Sequence, residues 1–244
     1  LRDVYKRQLD NGSTDETPRV VQAWAERLGQ RLTTLRLPVN VGAPPARNWL
    51  LSLPEVLSRE LLVFLDDDVS LPADWLNRLG AAARLCPEAS VWGCRVVDEA
   101  SPLVVPSEES AFLAPDMASD MGWGARKLVL PQLHAGLPDL GQFTYLRPCV
   151  SVTGCCHMLR TSDIAQVGGF DIRFSPSQCD DVERDLRVFL NGGHAVYQGH
   201  LAIGHKRRSG QAAERGAAEQ GNATANTHKL AVSYTHLAGD SQMT

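Results

Sequence analysis

Three consecutive aspartates, Asp66-Asp67-Asp68, follow directly on the apolar run Leu61-Leu62-Val63-Phe64-Leu65. Carboxylates gathered at the end of a buried strand repel one another and lose hydration, and a bound divalent cation offsets both costs. Side chains alternate along an extended chain, so Asp66 and Asp68 point together while Asp67 points away. Hard oxygen donors of this kind suit Mg²⁺ or Mn²⁺, which take one or two carboxylates and the phosphates of a substrate. Asp68 is the expected direct ligand, with Asp66 beside it. Alone, such a cluster leaves phosphatases and nucleotidyltransferases open, and its plain structural reading is a solvated acidic turn.

These residues need a scaffold, and the pattern around them predicts one. Leu61 to Leu65 has the length and composition of a strand covered on both faces. Ser13 and Glu16 fit a capping box ahead of Val20, Val21, Trp24 and Leu28 at helical spacing, predicting a helix to about Gly29. A strand over Leu32 to Leu37 and a helix over Pro44 to Leu53 follow. After the aspartates, Ser70 is the expected cap of a helix ending at Pro87, and Val91 to Val97 reads as a strand. Residues 100 to 145, with Trp123 and His134, read as irregular loops over the site. Short helices are expected over Ser162 to Val167 and Asp181 to Asn191, the second ended by Gly192-Gly193. Ala195 to Tyr197 and Leu201 to Ile203 give two short strand signals, and residues 211 to 226 a helical or loose tail with little to bury. Strand and helix alternation of this kind implies βαβ units, with ligands bound beyond the carboxyl ends of the strands.

Composition limits the partners. Of 244 residues, 43% are hydrophobic and 21% charged, enough for one large α/β domain; a net charge of −4 gives no footprint for nucleic acid or an anionic membrane. No apolar run approaches the roughly 20 residues that span a bilayer, so a cytoplasmic place is expected, peripheral to the inner membrane face at most. The six cysteines lack paired CxxC spacing and read as free structural thiols.

Asp10-Asn11-Gly12-Ser13-Thr14-Asp15, then Asn40-Val41-Gly42 with Ala46-Arg47-Asn48, then Leu65 to Asp68, stand in an order and spacing that resembles the inverting family 2 glycosyltransferases of the GT-A fold. Thr153-Gly154, Gly168-Gly169-Phe170-Asp171 and Asp180-Asp181 are similar to that family's later motifs. The resemblance runs from Asp10 to His205. It implies an α/β, Rossmann-like, mostly parallel central sheet flanked by helices, with a nucleotide-binding half over 10–98, an acceptor and catalytic half over 99–210, and a tail over 211–244. It further implies transfer of a sugar from a nucleotide-diphosphate donor, a UDP- or dTDP-sugar, to a glycan, lipid-linked or protein acceptor in cell-surface glycan synthesis. Asp10 would receive the nucleotide base, and Arg47 would lie near the base or diphosphate. Asp66, Asp67, Gly154 and Gly169 would line the donor site. Asp68, Asp66 and His205 would hold Mg²⁺ or Mn²⁺. Asp181 would be the general base, with Asp180 a competing candidate and helix capping the ordinary reading of either. Lys206, Arg207 and Arg208 would close over the diphosphate or form a solvated face. A nucleotidyltransferase or a noncatalytic sugar- or nucleotide-binding fragment are the alternatives.

Compared with that family, the start is unusual. Leu1 to Gln8 is too charged for a buried parallel strand and, like 232–244, resembles translated adaptor sequence, so residues 1–9 are expected to be a non-native leader. The family's first βαβ portion would then be missing, with the apolar edge beside Leu61 to Leu65 left open and solubility and turnover lowered.

Overall fold

The computed structural model describes residues 4–99, 109–110, 137–206 and 217–234. Strand β1 (Lys6–Asp10) pairs in parallel with β2 (Leu32–Arg36), and the Thr17–Leu28 helix makes the crossover. Residues expected to be a leader thus include four that sit in a ladder. The remaining strands are β3 (Leu61–Leu65), β4 (Val69–Ser70), β5 (Val91–Asp98), β6 (Glu109–Ser110), β7 (Leu146–Cys149), β8 (Ser151–Val152), β9 (Cys156–Arg160) and β10 (Ala195–His205). Six of them form the central sheet in the order β3-β9-β5-β10-β4, with β7 also on β10, while β6 and β8 pair separately.

The α/β class stands, but the central sheet is mixed rather than mostly parallel. Only β5 and β10 run in parallel; the other pairings in this sheet are antiparallel. The reason lies at the aspartates. The chain enters β9 at the carboxyl end of β3, where Cys156 faces Leu65, and must run back against β3. This entry puts the Thr153–Cys155 turn beside Asp66, whose N–H donates to the Cys155 carbonyl at 3.1 Å. Among the described residues β3 has one ladder partner, and only Phe64 of its five apolar residues is buried.

Local signals were overridden where backbone groups found other partners. Ser13 forms no capping box: its N–H goes to Asp10, and Asp15 accepts the Thr17 N–H at 3.0 Å instead. Ser70 caps nothing, because Val69 and Ser70 join the end of β10 as a ladder and the next helix, Trp75–Leu85, starts after Asp74. The two short strands expected after Gly193 are one, β10, with a register shift between Gln198 and Ala202.

One core lies between the Trp75–Leu85 helix and the sheet, with Leu79, Trp92, Met158, Leu201 and Ile203 buried in it. The opposite face buries Phe64, Leu159, Phe170, Val188 and Tyr197. All six cysteines are free thiols, with Cys94, Cys155 and Cys156 buried. Over 217–226 the expected tail is helical and, among the residues whose side chains are described, mostly exposed apart from Asn226; beyond that stretch the same helix, Ala217–Ser233, buries Leu230 against Phe174 and Leu186. Of the 100–145 stretch, residues 100–108 and 111–136, including Trp123 and His134, lie outside the described residues, as do Arg207 and Arg208; 137–145 contains no helix or strand.

Candidate active site

Two strand ends build the acidic centre. Asp66 and Asp68 leave β3, and the Asp68 carbonyl accepts the Lys206 N–H at 2.9 Å, drawing in the end of β10. That end carries His205, buried, with Nε2 3.3 Å from Asp68 Oδ1. One ligand atom each from Asp66, Asp68 and His205 lie within 4.8 Å of one another. Asp67, between the two, is exposed. Burial raises the Asp66 pKa above the ordinary carboxylate value, and the Asp68 and Asp181 charges add to it, against Arg47 and His205. A carboxylate disfavoured in this way gains from a divalent cation, and two carboxylates with an imidazole are a donor set that fits one.

Arg47, on the Ala43–Leu51 helix, is the second centre. Its Nη1 donates to Asp180 Oδ2 at 2.5 Å and its Nη2 to Asp66 Oδ1 at 3.3 Å. Burial works against its charge, but Asp180, Asp66 and Asp181 outweigh that and raise its pKa. Asp180 and Asp181 open the Asp180–Leu190 helix, where backbone N–H groups and the helix dipole favour anions. Asp180 is buried, which raises its pKa together with the Asp181 charge, against Arg47. Asp181 is half-buried and, among the described residues, accepts only from backbone donors: Gly154 N–H at 2.7 Å on Oδ2 and Val182 N–H at 2.8 Å on Oδ1. Gly154 makes room for this contact: a Cβ would lie 2.9 Å from Asp181 Oδ2 and 3.2 Å from Arg47 Nη2, so a larger residue would have to displace the Asp181 carboxylate.

The helix bearing this pair is pinned one turn further on. Asp185 accepts from Ser151 Oγ at 2.8 Å, from Val152 N–H at 3.2 Å, and lies 2.9 Å from His157 Nε2, all of them buried. Beside it Arg184 is fully buried and makes no hydrogen bond among the described residues; its guanidinium stands 5.8 Å over the Phe170 ring. Burial lowers the Arg184 pKa and the Asp185 charge opposes that. Asp185→Ala is therefore expected to cost about 3–5 kcal/mol, because it removes the largest charge opposed to the buried Arg184, leaving the lesser ones of Asp163 and Glu183, and strands the buried donors of Ser151 and Val152. Urea unfolding measures this; a loss below about 1 kcal/mol would mean that Asp185 does not carry the Arg184 charge.

Residues 9–168 match the model of glycosyl transferase family 2. The chain belongs to that family. Among relatives of this glycosyltransferase is the O-antigen biosynthesis protein RfbC of Myxococcus xanthus, 26% identical over 206 residues, which span 84% of this chain and 15% of RfbC. Solved structures share the GT-A fold. GalNAc-T7, solved with UDP, GalNAc and Mn²⁺, superposes with a TM-score of 0.67 at 11% identity over 97% of this chain and 44% of that one. The mannosyltransferase PcManGT of Pyrobaculum calidifontis, solved with GDP-Man and Mn²⁺, gives 0.53 at 18% over 95% and 60%. The chain thus spans a minor part of RfbC and GalNAc-T7 and about three fifths of PcManGT. No helix among its described residues is long and apolar enough to cross a membrane.

Of the residues expected from sequence, this glycosyltransferase brings together Asp66, Asp68 and His205, and, through Arg47, Asp66, Asp180, Asp181 and Gly154. Asp10 stands apart at the end of β1. It is buried, accepts the Ser13 N–H at 2.9 Å, and lies 3.3 Å from Arg36 Nε, an ion pair without hydrogen-bond alignment. Gly169 packs against the Asn48 amide, with which a Cβ there would collide. Asn48 was missed. It holds Phe170 in both directions, Nδ2 donating to Phe170 O at 2.7 Å and Oδ1 accepting Phe170 N–H at 2.8 Å. Both residues sit inside motifs visible in the sequence, which carried no sign that the two motifs touch. Asn226, in the tail helix, was missed as well; its Nδ2 donates to the carbonyls of Phe174 and Ser177 at 2.7 and 2.8 Å and braces the turn ahead of Asp180.

Proposed function

We propose that this protein catalyses metal-dependent, inverting transfer of a sugar from a nucleotide-diphosphate donor, a UDP- or dTDP-sugar, to an acceptor hydroxyl in the synthesis of a cell-surface glycan. The observation that carries the reading is the convergence of the Asp66, Asp68 and His205 cluster with the Asp180–Asp181 turn. Complexes of the GT-A neighbours with UDP or GDP-Man and Mn²⁺ support the donor class and the cation, and the O-antigen relative supports the glycan.

Asp181 is the base in this reading. Asp180 is engaged by Arg47, whereas Asp181 is more open and has its carboxylate aimed by two backbone N–H groups. Asp181 takes the proton of the acceptor hydroxyl as that oxygen forms its bond to the anomeric carbon. The bond from that carbon to the diphosphate oxygen breaks, and the electron pair leaves with the nucleoside diphosphate. Attack opposite the leaving group inverts the anomeric centre, so no covalent sugar intermediate is needed. Asp68, Asp66 and His205 would hold Mg²⁺ or Mn²⁺, which when bound would supply Lewis-acid stabilisation of the charge on the departing diphosphate. Asp10 and Asp67 are the remaining donor contacts.

The test is nucleotide release from UDP-glucose, UDP-N-acetylglucosamine, dTDP-rhamnose and GDP-mannose, with Mn²⁺ and with EDTA, followed by NMR of the sugar product. Cation-dependent release from at least one donor with inverted configuration is expected. Equal release in EDTA, or retained configuration, would overturn the proposal.

A further inference from the structure

We infer that Arg47 is a positioning residue that ties the cation side of the site to the turn bearing the base. The inference rests on the proposed reaction. It differs from a donor-binding role, the one implied by the motif in which Arg47 stands.

The guanidinium is already occupied. One terminal nitrogen goes to Asp180 at the start of its helix and the other to Asp66 at the end of β3, residues 114 positions apart in the chain. Its flat face lies over the Phe170 ring, 5.3 Å from the centroid, and the side chain is 14% exposed. The platform is fixed from the same helix, because Asn48, the next residue, holds Phe170 by both its backbone groups. Phe64 meets Phe170 edge-on at 5.3 Å and completes the support. A planar fork suits two carboxylates at a set angle; an ammonium group cannot span them the same way.

Without Arg47, Asp66, Asp180 and Asp181 would face one another with no cation between them, and Asp180 would be a buried carboxylate without its partner. The first turn of the helix, with Asp181 in it, would move. A displacement of about 1 Å at a reacting group costs on the order of 10²-fold in rate. The loss should appear in kcat rather than in the KM for donor, since Arg47 acts through Asp180.

The test is a double-mutant cycle of Arg47→Met and Asp180→Asn, with Arg47→Lys alongside, measured as Mn²⁺-dependent nucleotide release from the best donor of the panel. Arg47→Met is expected to lower kcat by about 10²-fold with KM within about threefold. The double variant should be no slower than Arg47→Met alone, because the two residues act as one unit. Arg47→Lys should stay at least about tenfold below the parent. A raised KM with kcat intact, additive losses in the cycle, or full rescue by lysine would each overturn the inference. Should Arg47→Met fail to fold, Arg47→Lys and Asp180→Asn decide it: both must lower kcat with KM kept. No cation-dependent release by the parent protein would instead refute the proposed reaction itself.

Discussion

Replacing Asp181 by asparagine is expected to lower turnover by about 10²- to 10⁴-fold, the contribution of a positioned general base, while cation and nucleotide binding persist. Asparagine matches aspartate in size, and its one carbonyl oxygen can still accept the Gly154 N–H that fixes Oδ2 at 2.7 Å. It cannot take a proton. Its amide nitrogen cannot accept the Val182 N–H that Asp181 Oδ1 accepts at 2.8 Å, but the Gly154 contact stays in place while the chemistry stops, and the loss belongs to kcat. Asp180→Asn separates the two acids of the pair. Its partner is Arg47, so its effect should be smaller and should come through the placement of Asp181. Steady-state nucleotide release with calorimetric binding of UDP on each variant measures both. Full activity in Asp181→Asn would remove it as the base and turn attention to Asp180.

Asp68→Ala has the other large effect, and the reason is how few tasks Asp68 performs. Asp66 both belongs to the cation cluster and pairs with Arg47, so changing it disturbs two functions. Among the described residues the Asp68 side chain meets His205 and the cluster alone. Removing it takes away a hard anionic donor and leaves one carboxylate and one imidazole, too little for Mg²⁺ or Mn²⁺ without the substrate. Mn²⁺ binding followed by electron paramagnetic resonance should fall by at least about tenfold, as for loss of a residue that orients a metal site, and turnover should become undetectable. Asp67→Ala, at the exposed aspartate between them, should bind Mn²⁺ like the parent. If Asp67→Ala lost the cation and Asp68→Ala kept it, the alternation along the strand end would have been assigned to the wrong face.

The acidic centre was legible because it rests on local chemistry. An apolar strand ending in three aspartates places Asp66 and Asp68 together by backbone geometry alone, and the ordered motifs marked Asp181 and His205. Arg47 was visible as a residue but not as a contact: its pairing with Asp180 joins residues 133 positions apart. Such a contact depends on where β9 re-enters the sheet. The direction of that re-entry was equally hidden, since Cys156–Arg160 reads the same whichever way it runs, and this is why the sheet is mixed. Caps failed at Ser13 and Ser70 for a different reason. Ser13 had a competing local partner, the Asp10 carboxylate three residues back, and Ser70 a ladder with β10 supplied by tertiary structure, to which local propensity yields. The tail's docking was hidden because alanine, glycine and asparagine suggest little to bury, as the mostly exposed residues before Asn226 show, whereas the helix is held by that one amide and by Leu230 beyond it.

The most direct test of the central claim is calorimetric titration of UDP, dTDP and GDP into the protein with Mn²⁺ and again with EDTA. If a cation at Asp66, Asp68 and His205 joins the protein to the donor diphosphate, at least one nucleotide binds in Mn²⁺, binding is lost in EDTA, and Asp68→Ala abolishes the binding seen in Mn²⁺. Nucleotide binding of equal strength in EDTA, or binding that survives Asp68→Ala unchanged, would contradict the account.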